Sequence, residues 1–463
     1  MKRLLVKLKG LRHRLKDPSP QAPIPNEGVV DSEQTTPKTV RLKQKQKGNV
    51  IQQNAPLELL PPEVRHCLLS VLPLRELSNL IHASPVFFQQ YLLARKTLIV
   101  ESLQQTLRSV TVDACAAFRY DSPELAFRSR SMVADYLKPY QSKRTALCYS
   151  IDMEKLTEEE AFKMAKFHAS VMQPLMRVYA EWTLADLSHQ AGSGQTNHKP
   201  LSRTEETRLM RAMYRFQLMC NLFGSGKYYR AATRRLDFGS IDIHLLFFDL
   251  YEPWEIEEIT CFHLFASEKY EQIFKQISWD VNENNPKFDG LRPPTPEGAF
   301  HLHLGWFSDM LLKGTMTRGL ELLHTVFFSI KNHEHLVTTM QQQMVYLSSD
   351  FLDIFVLNDT SIWSRRRDHP SERDEREARR DPLPFLGDQE PLGLIDLTHP
   401  PLAWTLVWGG TYSNVIGVYI EDDVRRWGYV FWDAARLEEM RGKEVLARQW
   451  EARWGDDDAR DQV

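Results

Sequence analysis

The chain has 463 residues, of which 42% are hydrophobic and 11% aromatic. This length allows two to three domains with a large apolar core. The formal net charge of −3 gives no global electrostatic reason to expect binding to nucleic acid or to a membrane surface. No apolar run reaches the roughly 18 residues of a membrane-spanning helix, and the basic N-terminus lacks the apolar segment of a secretory signal.

The five cysteines are odd in number, widely spaced and without a C-x-x-C pair. Four of them lie within helical apolar patterns, where a free cysteine behaves as a small hydrophobic residue. This usage is typical of a reducing compartment, so the sequence predicts a protein of the cytoplasm or nucleus.

Residues 1–55 are polar and basic, with twelve Lys and Arg against four Asp and Glu up to Lys47. This composition predicts a disordered basic tail. The first sixteen residues alternate leucine with lysine and arginine, which leaves open a short basic amphipathic helix with a nuclear-import or anionic-lipid role.

Residues 56–95 contain three short amphipathic helices bounded by prolines. The first carries one apolar stripe at helical spacing, made of Val64, Cys67, Leu68, Val71 and Leu72. Pro62 suits a first-turn position, Pro73 stops the helix, and Ser84 followed by Pro85 indicates the N-terminus of the third helix. Three such helices cannot bury their apolar faces alone, and packing into the groove of a helical partner is one solution.

The same segment resembles the F-box of SCF ubiquitin-ligase receptors. The positions that match its pattern are Leu60, Pro61, Glu63, Val64, Leu68, Leu69, Leu72, Leu77, Ser84 and Phe87. The resemblance implies that these residues, apart from Ser84, bind a Skp1-type adaptor and through it a cullin. The closing stretch departs from the family, because Ser84-Pro85-Val86 stands where a cysteine or basic residue usually precedes the aromatic residue.

A wider resemblance covers most of residues 56–440. The stretches 77–85, 112–114, 253–258 and 426–433 are similar to a group of fungal F-box-like proteins. This resemblance implies an α-helical F-box-type protein and brings no reaction or ligand with it.

Residues 96–360 show helical signals almost throughout. Thr157 to Glu160 and Ser202 to Glu205 are capping boxes, and Pro253 begins a further long helix. Polar stretches near 189–200 and 282–296 predict loops, and no fixed repeat supports a regular solenoid. The sequence therefore predicts a mainly α fold, in which the F-box-like three-helix motif packs on a larger irregular helical domain.

Residues 361–390 are dominated by a mixed-charge run, with seven arginines against six acids in 364–381. Without a hydrophobic face, this run predicts a disordered insertion, and a regulatory or RNA-contact role stays open. Residues 391–463 are rich in aromatic residues. We expect this segment to pack back on the helical domain, to be irregular or carry a short strand pair in 391–420, and to end in a helix beginning after Asp433.

Several candidate sites are better explained by local structure. The pairs His301/His303 and His333/His335 have i, i+2 spacing, which splays imidazoles apart on a helix, so no metal or cofactor is expected. Gly224 to Lys227 lacks the P-loop spacing and predicts a helix end. Asp237-Phe238-Gly239 lacks the other kinase motifs.

Two charged groups are also given structural interpretations. The acids Glu255, Glu257 and Glu258 complement the helix dipole in a first turn. The arginines and aromatic residues of 425–432 are better suited to closing a core than to stacking on single-stranded RNA.

These observations favour an F-box-type protein, the substrate-recognition subunit of an SCF ubiquitin ligase, with no catalytic activity. It would bind Skp1 and a protein substrate, and neither nucleic acid nor a membrane. Two alternatives stay open: a scaffold protein in which the three helices are only structural, and an enzyme with an unrecognised site.

Overall fold

The computed structural model describes residues 55–119, 129–146, 155–194, 199–224, 238–292, 295–347, 360–388 and 399–462. The fold is mainly α, as predicted. No strand occurs in these ranges, and the only β pairing within them is the isolated bridge between Pro382 and Thr411. The helices in chain order are α1 (Pro62–Ser70), α2 (Leu74–Ala83), α3 (Pro85–Leu93), α4 (Arg95–Leu107), α5 (Thr111–Arg119), α6 (Arg130–Ala146), α7 (Glu158–Phe167), α8 (Gln173–Gln190), α9 (Arg203–Phe223), α10 (Ser240–Leu246), α11 (Pro253–Ile277), α12 (Gly305–Met316), α13 (Leu320–His324), α14 (His333–Gln343), α15 (Thr360–Asp368), α16 (Glu372–Ala378), α17 (Leu402–Val407), α18 (Asp422–Arg426), α19 (Ala434–Glu439) and α20 (Gly442–Trp454).

The helix N-termini follow the capping signals in the sequence. Thr157 caps α7 and Ser202 caps α9, each in a complete capping box with the glutamate three residues later. Pro253 is the first residue of α11, where its missing N–H costs nothing. Gly224 follows the last residue of α9, as expected of a helix end.

The conformation of Gly224 differs from that of a left-handed helix-capping glycine. Its φ is −84° and its ψ −179°, an extended conformation open to any residue. A Cβ there would lie 2.5 Å from Cβ of Thr317 and 2.6 Å from the carbonyl oxygen of Cys220. Close packing of the segment after α12 therefore requires glycine at this position.

The core is centred on α9 and α11, which pack on each other, and α9 also packs on α5. Most side chains of α9 are buried, including those of Arg208, Arg211 and Arg215. Buried arginines need paired acids, and these acids come from α5, α11 and the C-terminal part of the chain.

A neutral cluster of six charged side chains, five of them buried and that of Arg144 half-buried, lies where α5, α6, α9 and α11 meet. Its acids are Asp113, Glu255 and Glu258, and its cations are Arg144, Arg211 and Arg215. Arg215 joins two of the acids, with Nε 3.0 Å from Asp113 Oδ1 and Nη1 2.7 Å from Glu255 Oε1. The acids of α11 therefore do more than complement its dipole: they neutralise arginines inside the core.

The C-terminal segment closes the core as predicted. Trp427, Phe431 and Trp432 are fully buried. The ring of Phe431 lies edge-on to that of Tyr179 in α8, with centroids 5.4 Å apart. Arg425 is also fully buried and pairs with Glu257 of α11. These side chains are thus core residues and are not available to stack on a nucleic acid.

The prediction of a disordered insertion at 361–390 is wrong for residues 361–388, which form α15 and α16 and an ordered extension. Arg366 pairs with Asp374 (2.5 Å) and Glu377 (3.0 Å). Oε1 of Glu377 also accepts a hydrogen bond from the backbone N–H of Asn414 and another from the hydroxyl group of Ser413, both in the C-terminal segment. Ion pairs and hydrogen bonds therefore order this run in place of an apolar face.

The remaining predictions concern the region before α18, the C-terminal helix and the N-terminal tail. Residues 399–420 contain α17 and a 3-10 turn, Gly417–Tyr419, and no strand pair. A helix begins after Asp433 as expected, but it ends at Glu439 and a second, α20, follows. The predicted disordered tail lies, up to residue 54, outside the described residues. Within those residues no helix is both long and apolar enough to cross a membrane.

Candidate partner-binding surface

Three of the five residues of the apolar stripe of α1 face outward. Val64 and Val71 are 45% and 61% exposed, and Cys67 between them is exposed as well. Leu68 and Leu72 are half-buried along the edge of the stripe. The residue of α1 that enters the core is Leu69, which lies next to the stripe. An apolar helix face that is left open in a monomer is typical of a binding site for another protein.

Further apolar side chains are exposed on either side of α1 in the chain. The 3-10 turn Pro56–Leu59 carries Leu57 and Leu59, the latter 70% exposed. The helix α3, which packs against α1, carries Leu92 and Leu93, the latter 84% exposed. We refer to Leu57, Leu59, Val64, Val71, Leu92 and Leu93 as the N-terminal apolar surface.

The residues predicted to bind Skp1 separate into two groups. Pro61, Glu63 and Val64 are exposed, and Leu60, Leu68 and Leu72 are half-buried. The others lie in the core and hold the helices together: Leu69, Leu77 and Phe87. In this conformation the core group supports the surface from behind, and only the first group can meet a partner directly.

The turn before α1 is tied to the junction between α2 and α3. The side chain of Ser84 caps α3 by accepting from the N–H of Phe87 (3.3 Å), as the sequence predicts. Its hydroxyl group donates to the carboxylate of Glu58 (2.5 Å), and Arg65 of α1 donates to the carbonyl oxygen of Glu58 (3.1 Å). These bonds hold the turn in place, with Leu57 and Leu59 facing solvent.

The three helices are anchored on α4 and through it on the core. The first backbone N–H of α2, at Leu74, donates to the hydroxyl oxygen of Thr106 (2.9 Å). The carbonyl oxygen of the same threonine accepts from Arg203 at the start of α9 (2.7 Å). The described residues from 55 onwards belong to one compact unit.

Charged side chains also lie near α1. Glu63 is exposed, as are Arg75 and Glu76 on α2, and Arg65 donates a hydrogen bond to the turn. Burial raises the pKa of Glu101 on the supporting helix α4. The six residues of the N-terminal apolar surface are all hydrophobic, so they would bind a partner by hydrophobic contact.

Comparison with known proteins finds no matching family model, no matching curated protein and no matching solved structure.

The histidine pairs do not form a metal site in the described part of the chain, where no group of three potential metal ligands occurs. The rings of His301 and His303 are 5.9 Å apart, in a loop, and His303 contacts Asn282. His333, the first residue of α14, pairs with Asp280 (3.0 Å). The glycine-lysine motif around Lys227 lies outside the described residues.

The buried charge cluster brings several titratable groups within hydrogen-bonding distance of one another. Burial alone would raise the pKa of Glu255, but the positive charges of Arg215, Arg144 and Arg211 lower it overall. Each carboxylate of the cluster is paired with an arginine and is almost fully buried. Its geometry is that of a structural cluster, in which no acid is left free to exchange protons with a substrate.

Five residues of the N-terminal apolar surface were not in the predicted binding set: Leu57, Leu59, Val71, Leu92 and Leu93. Val71 belongs to the predicted stripe and was available from its helical spacing. The other leucines lie outside the F-box pattern, and only the packing of the helices shows that they are exposed.

Proposed function

We propose that the chain is the substrate-recognition subunit of an SCF-type ubiquitin ligase, without catalytic activity of its own. A Skp1-type adaptor would bind the N-terminal apolar surface together with Leu60 and Pro61, and a cullin would be recruited through the adaptor. The proposal places the protein in the cytoplasm or nucleus, where these partners occur.

One observation carries this proposal. Val64, Cys67 and Val71 of the stripe lie within the F-box-like segment and remain exposed, although Leu69, Leu77 and Phe87 of the same three-helix motif are buried in the core. A purely structural motif would be expected to bury this stripe, because exposed apolar side chains forgo about 25 cal/mol per Å² of surface. A partner that covers the stripe accounts for its exposure.

The test is co-purification of Skp1 and cullin with the full-length protein. The double variant Leu60→Ala/Pro61→Ala and the single variant Val64→Glu should both abolish co-purification. The far-UV circular dichroism spectrum should not change, because these side chains are exposed or half-buried. Leu406→Glu is the matched control, since Leu406 is an exposed leucine of α17, outside the surface.

The competing proposal is a scaffold protein in which the motif is only structural. Retention of Skp1 by the variants would favour it. So would failure of the wild-type protein to bind Skp1 under conditions in which a known F-box protein binds. Either result would rule out the receptor assignment.

A further inference from the structure

A second exposed surface lies far from α1 in the chain, where the loop before α12 meets the segment after α14. Five aromatic and histidine rings lie close together there, with Phe307 at their centre. The centroid of the Phe307 ring is 5.7 Å from that of His301, 5.0 Å from that of Trp306 and 6.0 Å from that of Tyr346. The ring of His303 lies beside that of His301. We call these five residues the aromatic patch.

The patch is exposed although its backbone is well held. Trp306 is 68% exposed and Tyr346 is also exposed. The backbone N–H of Leu347 donates to the carbonyl oxygen of Met310 (3.2 Å), and that of Phe300 donates to the carbonyl oxygen of Val281 (2.7 Å). Rigid, exposed aromatic rings are characteristic of protein-binding surfaces, because little conformational entropy is lost when a partner covers them.

The charge around the patch is negative. Residues 279–313 contain five acids and three cations, a balance of −2. Two of the cations are engaged locally: Lys287 lies over the ring of Phe288, 5.0 Å from its centroid, and Arg292 pairs with Asp289 (2.7 Å). The third, Lys313, lies one turn after Asp309 in α12.

One acid of this region is placed to act together with the patch. Asp309 stands three residues after Trp306 in α12, so the two lie on the same side of the helix. It is exposed and forms no ion pair with another described residue. An indole ring beside an unpaired carboxylate can bind a cationic side chain, which lies over the ring and pairs with the acid.

We propose that the aromatic patch binds a basic linear segment of a partner protein, in which an arginine or lysine stands beside an aliphatic or aromatic residue. Arginine suits the site best, because its planar guanidinium group can stack on Trp306 while it donates to Asp309. The role of the patch in recruiting a substrate rests on the proposed ligase function, whereas the binding of a basic segment does not depend on that function.

The test uses the full-length protein and fluorescein-labelled decapeptide pools with fixed arginine, lysine, glutamine or glutamate at two positions. Fluorescence anisotropy should show tighter binding of the arginine and lysine pools. Trp306→Ala should weaken that binding about tenfold, and Asp309→Asn about threefold with a smaller dependence on salt. Trp279→Ala is the matched control, since Trp279 is 59% exposed and has no ring contact with the patch.

Equal binding of all pools, preference for glutamate, or binding that Trp306→Ala does not change would overturn the proposal. Two further measurements compare the wild type with Trp306→Ala: sedimentation tests whether the patch binds a second copy of the chain, and flotation with anionic vesicles tests whether it binds a lipid surface. If the wild type self-associates or binds vesicles, the variant does not, and no peptide binds, the proposal is also overturned. Skp1 co-purification is measured separately: peptide binding without Skp1 would leave the patch in place and remove only its role in substrate recruitment.

Discussion

Arg425 and Glu257 form a two-point ion pair in which both side chains are fully buried. Nε and Nη2 of Arg425 each lie 2.9 Å from one carboxylate oxygen of Glu257. The residues are far apart in the chain, and the pair joins α18 to α11. Arg425 also donates to the carbonyl oxygen of Gly417, so the guanidinium group is hydrogen-bonded to both sides of this junction.

Glu257→Gln should lower the free energy of unfolding by about 3–5 kcal/mol, because it removes the buried counter-charge of the guanidinium group and leaves only the longer ion pair with the partly exposed Asp422 (3.3 Å). Urea denaturation followed by circular dichroism measures the change. Glu268→Gln is the control, since Glu268 pairs with the partly exposed Arg426 and should cost no more than about 1 kcal/mol. Similar losses in both variants would contradict the anchoring role of the buried pair.

Trp432→Ala should destabilise the protein by about 3–5 kcal/mol, through the cavity that a fully buried indole leaves. It also removes the hydrogen bond from Trp432 Nε1 to the carbonyl oxygen of Trp427 (2.7 Å). Thermal unfolding of this variant is to be compared with that of Trp306→Ala, whose exposed side chain should cost no more than about 0.5 kcal/mol. An unchanged melting temperature for Trp432→Ala would show that the C-terminal segment is not part of the core.

Leu69→Ala and Val64→Ala test which side of α1 enters the core. Leu69 is fully buried, so its truncation should cost about 2–5 kcal/mol. Val64 is exposed, so its truncation should cost no more than about 0.5 kcal/mol. Urea midpoints measure both, and a larger loss for Val64→Ala would mean that the stripe of α1 faces inward.

The buried side chain of His168 should make folding less favourable as the pH decreases from about 6.5 towards 4. Burial lowers the pKa of His168 to about 4, with a smaller contribution from Arg203, and the ring stacks on Tyr214. Between these values the unfolded chain binds a proton that the folded chain does not, so folding becomes less favourable at lower pH. One such histidine accounts for about 2 kcal/mol between pH 7 and pH 5.

His168→Gln should make this pH dependence shallower, whatever its effect on stability at pH 7. Part of the dependence should remain, because burial also lowers the pKa of His244 to about 4. The measurement is the free energy of unfolding at several pH values for the wild type and the variant. Parallel profiles would show that His168 is already protonated in the folded protein, or never buried.

Gly314→Ala should be strongly destabilising, by about 3 kcal/mol, because a Cβ at this position of α12 would lie 1.9 Å from the carbonyl oxygen of Val345. Gly305→Ala in the same helix meets no atom within 4 Å and should change stability by no more than about 1 kcal/mol. Thermal unfolding compares the two. Because Val345 precedes Tyr346, Gly314→Ala should also weaken peptide binding at the aromatic patch.

The sequence by itself determined the features that depend on neighbouring residues. The mainly α fold, the capping boxes before α7 and α9, and Ser84 as the cap of α3 follow from patterns only a few residues long. The amphipathic stripe of α1 was equally visible. These predictions succeed because a helix turn brings together residues three or four apart, and its cap is made by the residue just before it.

Only the tertiary structure decided what each face meets. The stripe of α1 is left open while Leu69 enters the core, and the acids at the start of α11 pair with arginines from three other helices. The run of mixed charge at 364–381 is ordered by contacts with residues such as Asn414, and the rings of the aromatic patch come from two separate segments. Such contacts join residues that are distant in the chain, and their energies depend on burial and geometry, which no local pattern contains.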